Sequence, residues 1–225
     1  MHPSTYPTAW GHPPTRRAWA RQTTISVLAF PAWILVPGGL LFALIDSLPS
    51  ALVAVFAIAT IYGAYRACVQ PLLIFLNFRT RRILRAYPWH LGDTPFSRSP
   101  HPESSNTKPW LAFPNPAKPE EYIPMHFHLH YHTVWWERRM SERAKPERKA
   151  QLAPVWFAGD PRFFGVIAVT GSGEDGTSPA PKRLHFLAQI SPDKKGAAID
   201  DNPWHASPED YSRARQAVGK ALLHD

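Results

Sequence analysis

The chain is short of cysteine, of acid near its start, and of any recognisable catalytic signature. Its single cysteine, Cys68, excludes an intrachain disulfide. Residues 1–22 contain no Asp or Glu, and residues 23–45 contain no charged residue at all. There is no G-x-S-x-G elbow and no H-E-x-x-H pair, and the lone thiol lies in an apolar run. The loop Gly171-Ser172-Gly173-Glu174-Asp175-Gly176 lacks the lysine–hydroxyl ending of a phosphate-binding loop, so it reads as a hairpin connection. These absences argue against an enzyme, and no cofactor is implied.

The acid-poor region holds two long apolar segments. Residues 23–45 and 51–78 flank the link Asp46-Ser47-Leu48-Pro49-Ser50, and the second segment has Arg66 as its only charge. About 20 apolar residues are needed to cross a bilayer, so each segment is long enough. The sequence therefore predicts a transmembrane hairpin, with an external loop at 46–50 and antiparallel spans. Pro31 and Pro37 predict a kink in the first span. A cleaved signal peptide fits poorly, because the polar lead is long, the apolar run is long, and no A-x-A site follows directly.

The formal charge of +8 first suggests nucleic acid, but its distribution excludes that reading. Residues 1–22 carry three arginines and no acid, and residues 79–101 carry five arginines against one aspartate. Residues 102–225 hold 16 basic against 15 acidic residues. The excess lies beside the apolar segments, where basic residues favour the cytoplasmic side. The expected topology has both termini cytoplasmic, in a bacterial plasma (inner) membrane. The segment 79–93 reads as a basic juxtamembrane helix and turn, with Arg79, Arg81, Arg82 and Arg85 at the membrane surface. The partners implied are the lipid bilayer and a protein of unspecified identity, with a homo-oligomer compatible with both. Nucleic acid is not among them.

Within the second span, Ala59, Gly63 and Ala67 recur at four-residue spacing, a pattern that allows close helix packing. The same spacing also arises in any alanine-rich span. Arg66 has two readings, as a functional intramembrane cation or as a side chain that snorkels to the interface.

The remaining sequence predicts a disordered tail over 1–22, a Pro-rich linker over 94–119 and a β-rich domain over 120–225. In residues 122–137 strict alternation predicts one strand. Met125, Phe127, Leu129, Tyr131, Thr133 and Trp135 form one face, and His126, His128, His130 and His132 form the other. Two imidazoles at alternate positions can converge on a metal, and zinc then needs a further ligand, for which His185 is the natural candidate. The same ladder is also compatible with pH sensing or with a plain polar strand face. Further strands are expected within 154–158, 163–170 and 184–190, with Asp160 in a turn. Ser207, Pro208, Glu209 and Asp210 predict the start of a C-terminal helix. The fold class is thus a membrane α-helical hairpin plus a small α+β domain, either an antiparallel sheet or a partly open barrel.

The run Val155-Trp156-Phe157-Ala158-Gly159-Asp160-Pro161-Arg162-Phe163-Phe164-Gly165-Val166, together with the step Tyr87-Pro88-Trp89, resembles stretches of small two-span membrane proteins of high-GC Gram-positive (actinobacterial) bacteria. The resemblance implies the architecture and an inner-membrane location, and it carries no site residues. The function expected is that of a non-enzymatic membrane-anchored interaction or accessory protein. The alternative is a metal- or pH-responsive membrane sensor.

Overall fold

The computed structural model describes residues 3–44, 50–92, 110–127, 133–140, 143–152, 154–170, 180–189 and 204–218. Two long helices, α1 (Pro13–Leu44) and α2 (Ser50–Ala86), precede a six-stranded sheet. The strands are β1 (His90–Gly92), β2 (Trp110–Pro114), β3 (Tyr122–Phe127), β4 (Val155–Asp160), β5 (Phe164–Thr170) and β6 (Pro181–Gln189). Short helices α3 (Val134–Met140) and α4 (Pro146–Ala150) lie between β3 and β4, and α5 (Pro208–Val218) follows the sheet. The chain divides into two compact units. Trp19–Phe78 is helical, while Met1–Ala18 and Arg79–Asp225 form the sheet unit.

In the helical unit, contacts rise along α1 as they fall along α2. Trp19 meets Phe78, Gln22 and Ser26 meet Asn77, and Trp33 meets Tyr62 and Arg66, so the helices run antiparallel. Among the described residues one stretch, Ala54–Ala86, is long and apolar enough to cross a membrane. The matching stretch of α1 includes side chains outside the described residues, as does the link 46–49. Of the expected small-residue seam, Gly63 and Ala67 are buried but Ala59 is exposed. The buried stripe continues instead through Gln70 and Asn77. These positions are three, four or seven residues apart, which keeps them on one helical face.

The sheet order is β1-β4-β5-β6-β3-β2, antiparallel throughout, and it curls into a half-barrel. Phe113 on the β2 edge stacks on Phe157 of β4 at 4.3 Å between ring centroids, although three strands separate them in the sheet. Inside lie Leu111, Met125, Phe127, Val155, Ile167 and Leu187, capped by Trp136 of α3. The outer face carries Trp156, Ala158, Val166, Ala168, Leu184 and Phe186, all buried as well. Strands buried on both faces lose the polar alternation of a one-sided sheet, which is why 154–158 and 163–170 each read as an apolar run.

Four sequence expectations need correction. Residues 1–22 are not a disordered tail: 3-10 turns at Pro3–Thr5 and Ala9–Gly11 lead into α1 at Pro13. The proline at the first helical position has a φ suited to the helix and lacks only a donor that would be unused there. The 94–119 linker is shortened, because Trp110–Pro114 is strand β2. The turn closing 79–93 includes β1, which pairs Leu91 with Trp156, so the sheet begins directly after α2 rather than near residue 120. Finally, the strand predicted over 122–137 turns into helix at Val134. There Arg139 stacks over Trp135, four residues earlier, at 3.9 Å and donates to its carbonyl. That i,i+4 pairing accompanies helical geometry, and burial of Trp136 in the core is what overrides the period-two pattern.

Candidate functional site

Among the described residues of the sheet unit, two clusters of buried polar groups stand apart from the separately buried Thr80, Asn115 and Thr133. The first lies where the flanks of α1 and α2 pack on the outer sheet face. The Ala9 N–H donates to the Tyr87 carbonyl at 2.8 Å, fixing the N-terminal turn beside the end of α2. His12, 2% exposed, sits between the rings of Tyr6 and Trp156 at 5.6 and 5.5 Å. Its Nδ1 is 3.0 Å from Thr15 Oγ1, which also accepts from Trp89 Nε1 at 3.0 Å. Trp89 in turn packs on Trp156. Burial holds the His12 imidazole below its ordinary value of 6.5, which favours the neutral ring.

The second cluster is an ion network at the β4–β5 turn. Arg162 bonds the Asp160 carboxylate through Nε and Nη2, the latter at 2.7 Å, and reaches Asp210 of α5 through Nη1 at 2.9 Å. The Arg162 backbone N–H also donates to Asp160 Oδ1, an Asx turn, as the Gly-Asp-Pro sequence suggested. Asp210 accepts from both the N–H and the hydroxyl of Ser207, and the Ser207 hydroxyl caps the Asp210 N–H. Burial pushes the Asp210 carboxyl up, but the Ser207 and Arg162 donors outweigh it and hold it below its ordinary value. Tyr87 lies near this network, and burial with the Asp160 charge pushes its phenol up to about 12. Opposite charges fully engaged with each other fasten α5 to the sheet and leave no poised acid or base.

The turn explains the long motif from Val155 to Val166. Gly159 pairs with Gly165 across the hairpin, and Gly159 has φ +149°. A Cβ on Gly159 would meet the Gly165 backbone at 2.5 Å, and one on Gly165 would meet the Phe157 ring. The glycines, Asp160 and Arg162 are thus accounted for by the construction of the hairpin.

His126, the described member of the histidine ladder, does not meet His185. Register pairs His126 with Ala188 and Phe127 with Leu187, so His185 shares the inner face with Phe127 and His126 faces the other way. His185 packs edge-on against Phe127 and Trp136 at 5.7 and 5.9 Å. Strand alternation separates the two imidazoles across the sheet, so His185 is not a third ligand for His126. His128, His130 and His132 lie outside the described residues. Among the described residues no group of three metal-ligating side chains occurs.

Arg66 stacks over Trp33 at 5.2 Å, and Trp33 packs edge-on against Tyr62. Of the basic surface residues, Arg82 and Arg85 are exposed and Arg79 and Arg81 half-buried. The sequence reading missed Trp10, which Arg81 and Arg85 both approach, at 5.1 and 5.6 Å from the ring centroid. It also missed His12 and Thr15. Their only sequence signal is polarity next to a Pro-Pro helix start, within a segment whose composition looks disordered. Comparison with protein families, curated proteins and solved structures returns no match.

Proposed function

We propose that this chain is a non-enzymatic, membrane-anchored accessory protein that presents its curled sheet to a protein partner at the cytoplasmic face of a bacterial plasma membrane. The observation carrying this reading is where apolar surface is exposed. Among the described residues, 16 of 18 exposed large hydrophobic side chains lie between Ile25 and Phe78, the other two being Tyr122 and Val134. A helix pair with apolar side chains on its outside suits a lipid solvent. In this reading both helices span, as a hairpin, and the arginines on either flank keep both termini on the cytoplasmic side.

The interaction role is supported by what the polar groups do. Asp160 and Asp210 both bond Arg162, and His12 packs against the rings of Tyr6 and Trp156. The test has two parts. In a Cys68→Ser background, single cysteines at exposed positions such as Ser212 are expected to resist an impermeant maleimide in intact spheroplasts and to react after permeabilisation. Labelling in intact spheroplasts would reverse the orientation. In-cell crosslinking from the sheet unit is expected to trap one dominant protein partner. Recovery of only random membrane neighbours would sink the accessory role.

A further inference from the structure

Trp10 and the arginines at the end of α2 form a more specific arrangement than a topology signal requires. A topology signal needs positive charge alone. Here two guanidinium groups gather on one indole ring, Arg81 at 5.1 Å and Arg85 at 5.6 Å, with exposed Arg82 between them in sequence. The indole is held in place from behind. Trp10 belongs to the 3-10 turn Ala9–Gly11, pinned by the Ala9 N–H to the Tyr87 carbonyl at 2.8 Å and closed by the Gly11 N–H to the Thr8 carbonyl at 3.0 Å. The ring is therefore fixed to the same helix end that supplies the arginines.

We propose that Trp10, Arg82 and Arg85 form a binding site for the phosphate of an anionic phospholipid in the cytoplasmic leaflet. A guanidinium stacked on an aromatic face keeps its N–H groups in its own plane, where they form the fork that a phosphodiester accepts bidentately. Arg85 is exposed, which puts that fork within reach of a headgroup. The segments that supply these cations, residues 1–45 and 50–92, themselves contain no acidic residue. Tryptophan itself favours the headgroup level of a bilayer. These arginines occupy the last two turns of Ala54–Ala86, a stretch long and apolar enough to span, which in the membrane reading sets them at its boundary. The inference rests on the membrane reading given above.

The test uses the full chain, extracted in neutral detergent from membranes of known phosphatidylglycerol and phosphatidylethanolamine content, with co-purified lipid measured by mass spectrometry. The wild-type protein is expected to retain phosphatidylglycerol in clear excess over the bulk ratio, and excess inorganic phosphate should not displace it. Arg82→Gln and Arg85→Gln should each lower the enrichment roughly fivefold. Trp10→Ala should lower it with no change in charge. Arg85→Lys is the discriminating variant, because it preserves charge and topology but loses the planar fork, so enrichment should still fall. Lipid recovered at the bulk ratio, or full enrichment in Arg85→Lys and Trp10→Ala, would overturn the site while leaving the membrane anchor standing. Displacement by inorganic phosphate would reassign it to a free anion. A wild-type chain found in the soluble fraction would overturn both.

Discussion

The helical unit and the sheet unit are both rich in large apolar side chains, and they place them on opposite sides of their backbones. In the sheet unit Trp89, Trp136, Trp156, Ile123, Met125 and Leu187 are each at most 1% exposed. In the helical unit Leu28, Leu35, Ile58 and Ile61 are all more than 60% exposed, while the polar side chains of Asn77 and Gln70 turn inward. Asn77 accepts from Trp19 and Gln22 and donates to Ser26, at 2.7, 2.9 and 3.4 Å. Each arrangement suits a different solvent. In water the hydrophobic effect drives large apolar groups inside. In hydrocarbon there is no such drive, and helices associate through small residues and interhelical hydrogen bonds instead. Under the proposed membrane reading, the inverted pattern also fits the inward placement of Gln70 and Asn77 on α2.

The largest effect that tests this contrast should come from the sheet unit's ion network. Arg162→Met strips the counter-charge from buried Asp160 and from Asp210, and breaking one partner of a buried pair costs about 3–5 kcal/mol. Loss of cooperative unfolding of the sheet unit, followed by tryptophan fluorescence, would meet that expectation, whereas an unchanged midpoint would show that the network contributes little. Next comes Ile61→Arg, which puts a charge on an exposed apolar position of α2 at a cost of about 3 kcal/mol if that face meets hydrocarbon. Membrane-fraction abundance should drop. A gain in soluble protein with retained structure would break the comparison outright, since it would mean the exposed face meets water.

A smaller effect follows from His12. Its folded pKa is depressed, so the folded state binds fewer protons than the unfolded one, and its contribution is full above the ordinary value of 6.5. It is lost as pH falls below 6.5 toward the depressed folded pKa, so stability should decline there. Asp210 is also depressed and adds its loss only in the more acid carboxylate range. His12→Gln should flatten the upper of these two steps in a pH series of thermal midpoints. The smallest effect expected is from His185→Leu. The substitution keeps an apolar packing group against Phe127 and Trp136, so any zinc affinity of the full chain should stay as in wild type. Loss of zinc binding would restore the shared-site reading that the strand register argues against.

Much of the local structure was legible before the tertiary arrangement was known. The two apolar runs, the strands at β4, β5 and β6, the Asp160 turn and the Ser207 cap all follow from periodicity or from short-range bonding between neighbours in sequence. Other elements were not legible for a common reason, which is that their partners are distant in sequence. Residues 3–15 have a disordered composition and are ordered by Trp89 and Trp156, more than seventy positions away. Trp110–Pro114 sits in Pro-rich sequence and becomes a strand by pairing with β3. The period-two pattern ran on past Phe127, but packing of Trp136 on the core set a helix from Val134.

By itself the sequence determined where charge and apolar length lie, because those are properties of the chain one segment at a time. It therefore determined the long helices, the basic flanks and the neutrality of the last half. The tertiary structure alone decided which side chains face each other. It put His126 and His185 on opposite faces, joined Arg162 to Asp210, and set Trp10 under Arg81 and Arg85. Facing is fixed by strand register and by packing between remote segments, which no local pattern encodes.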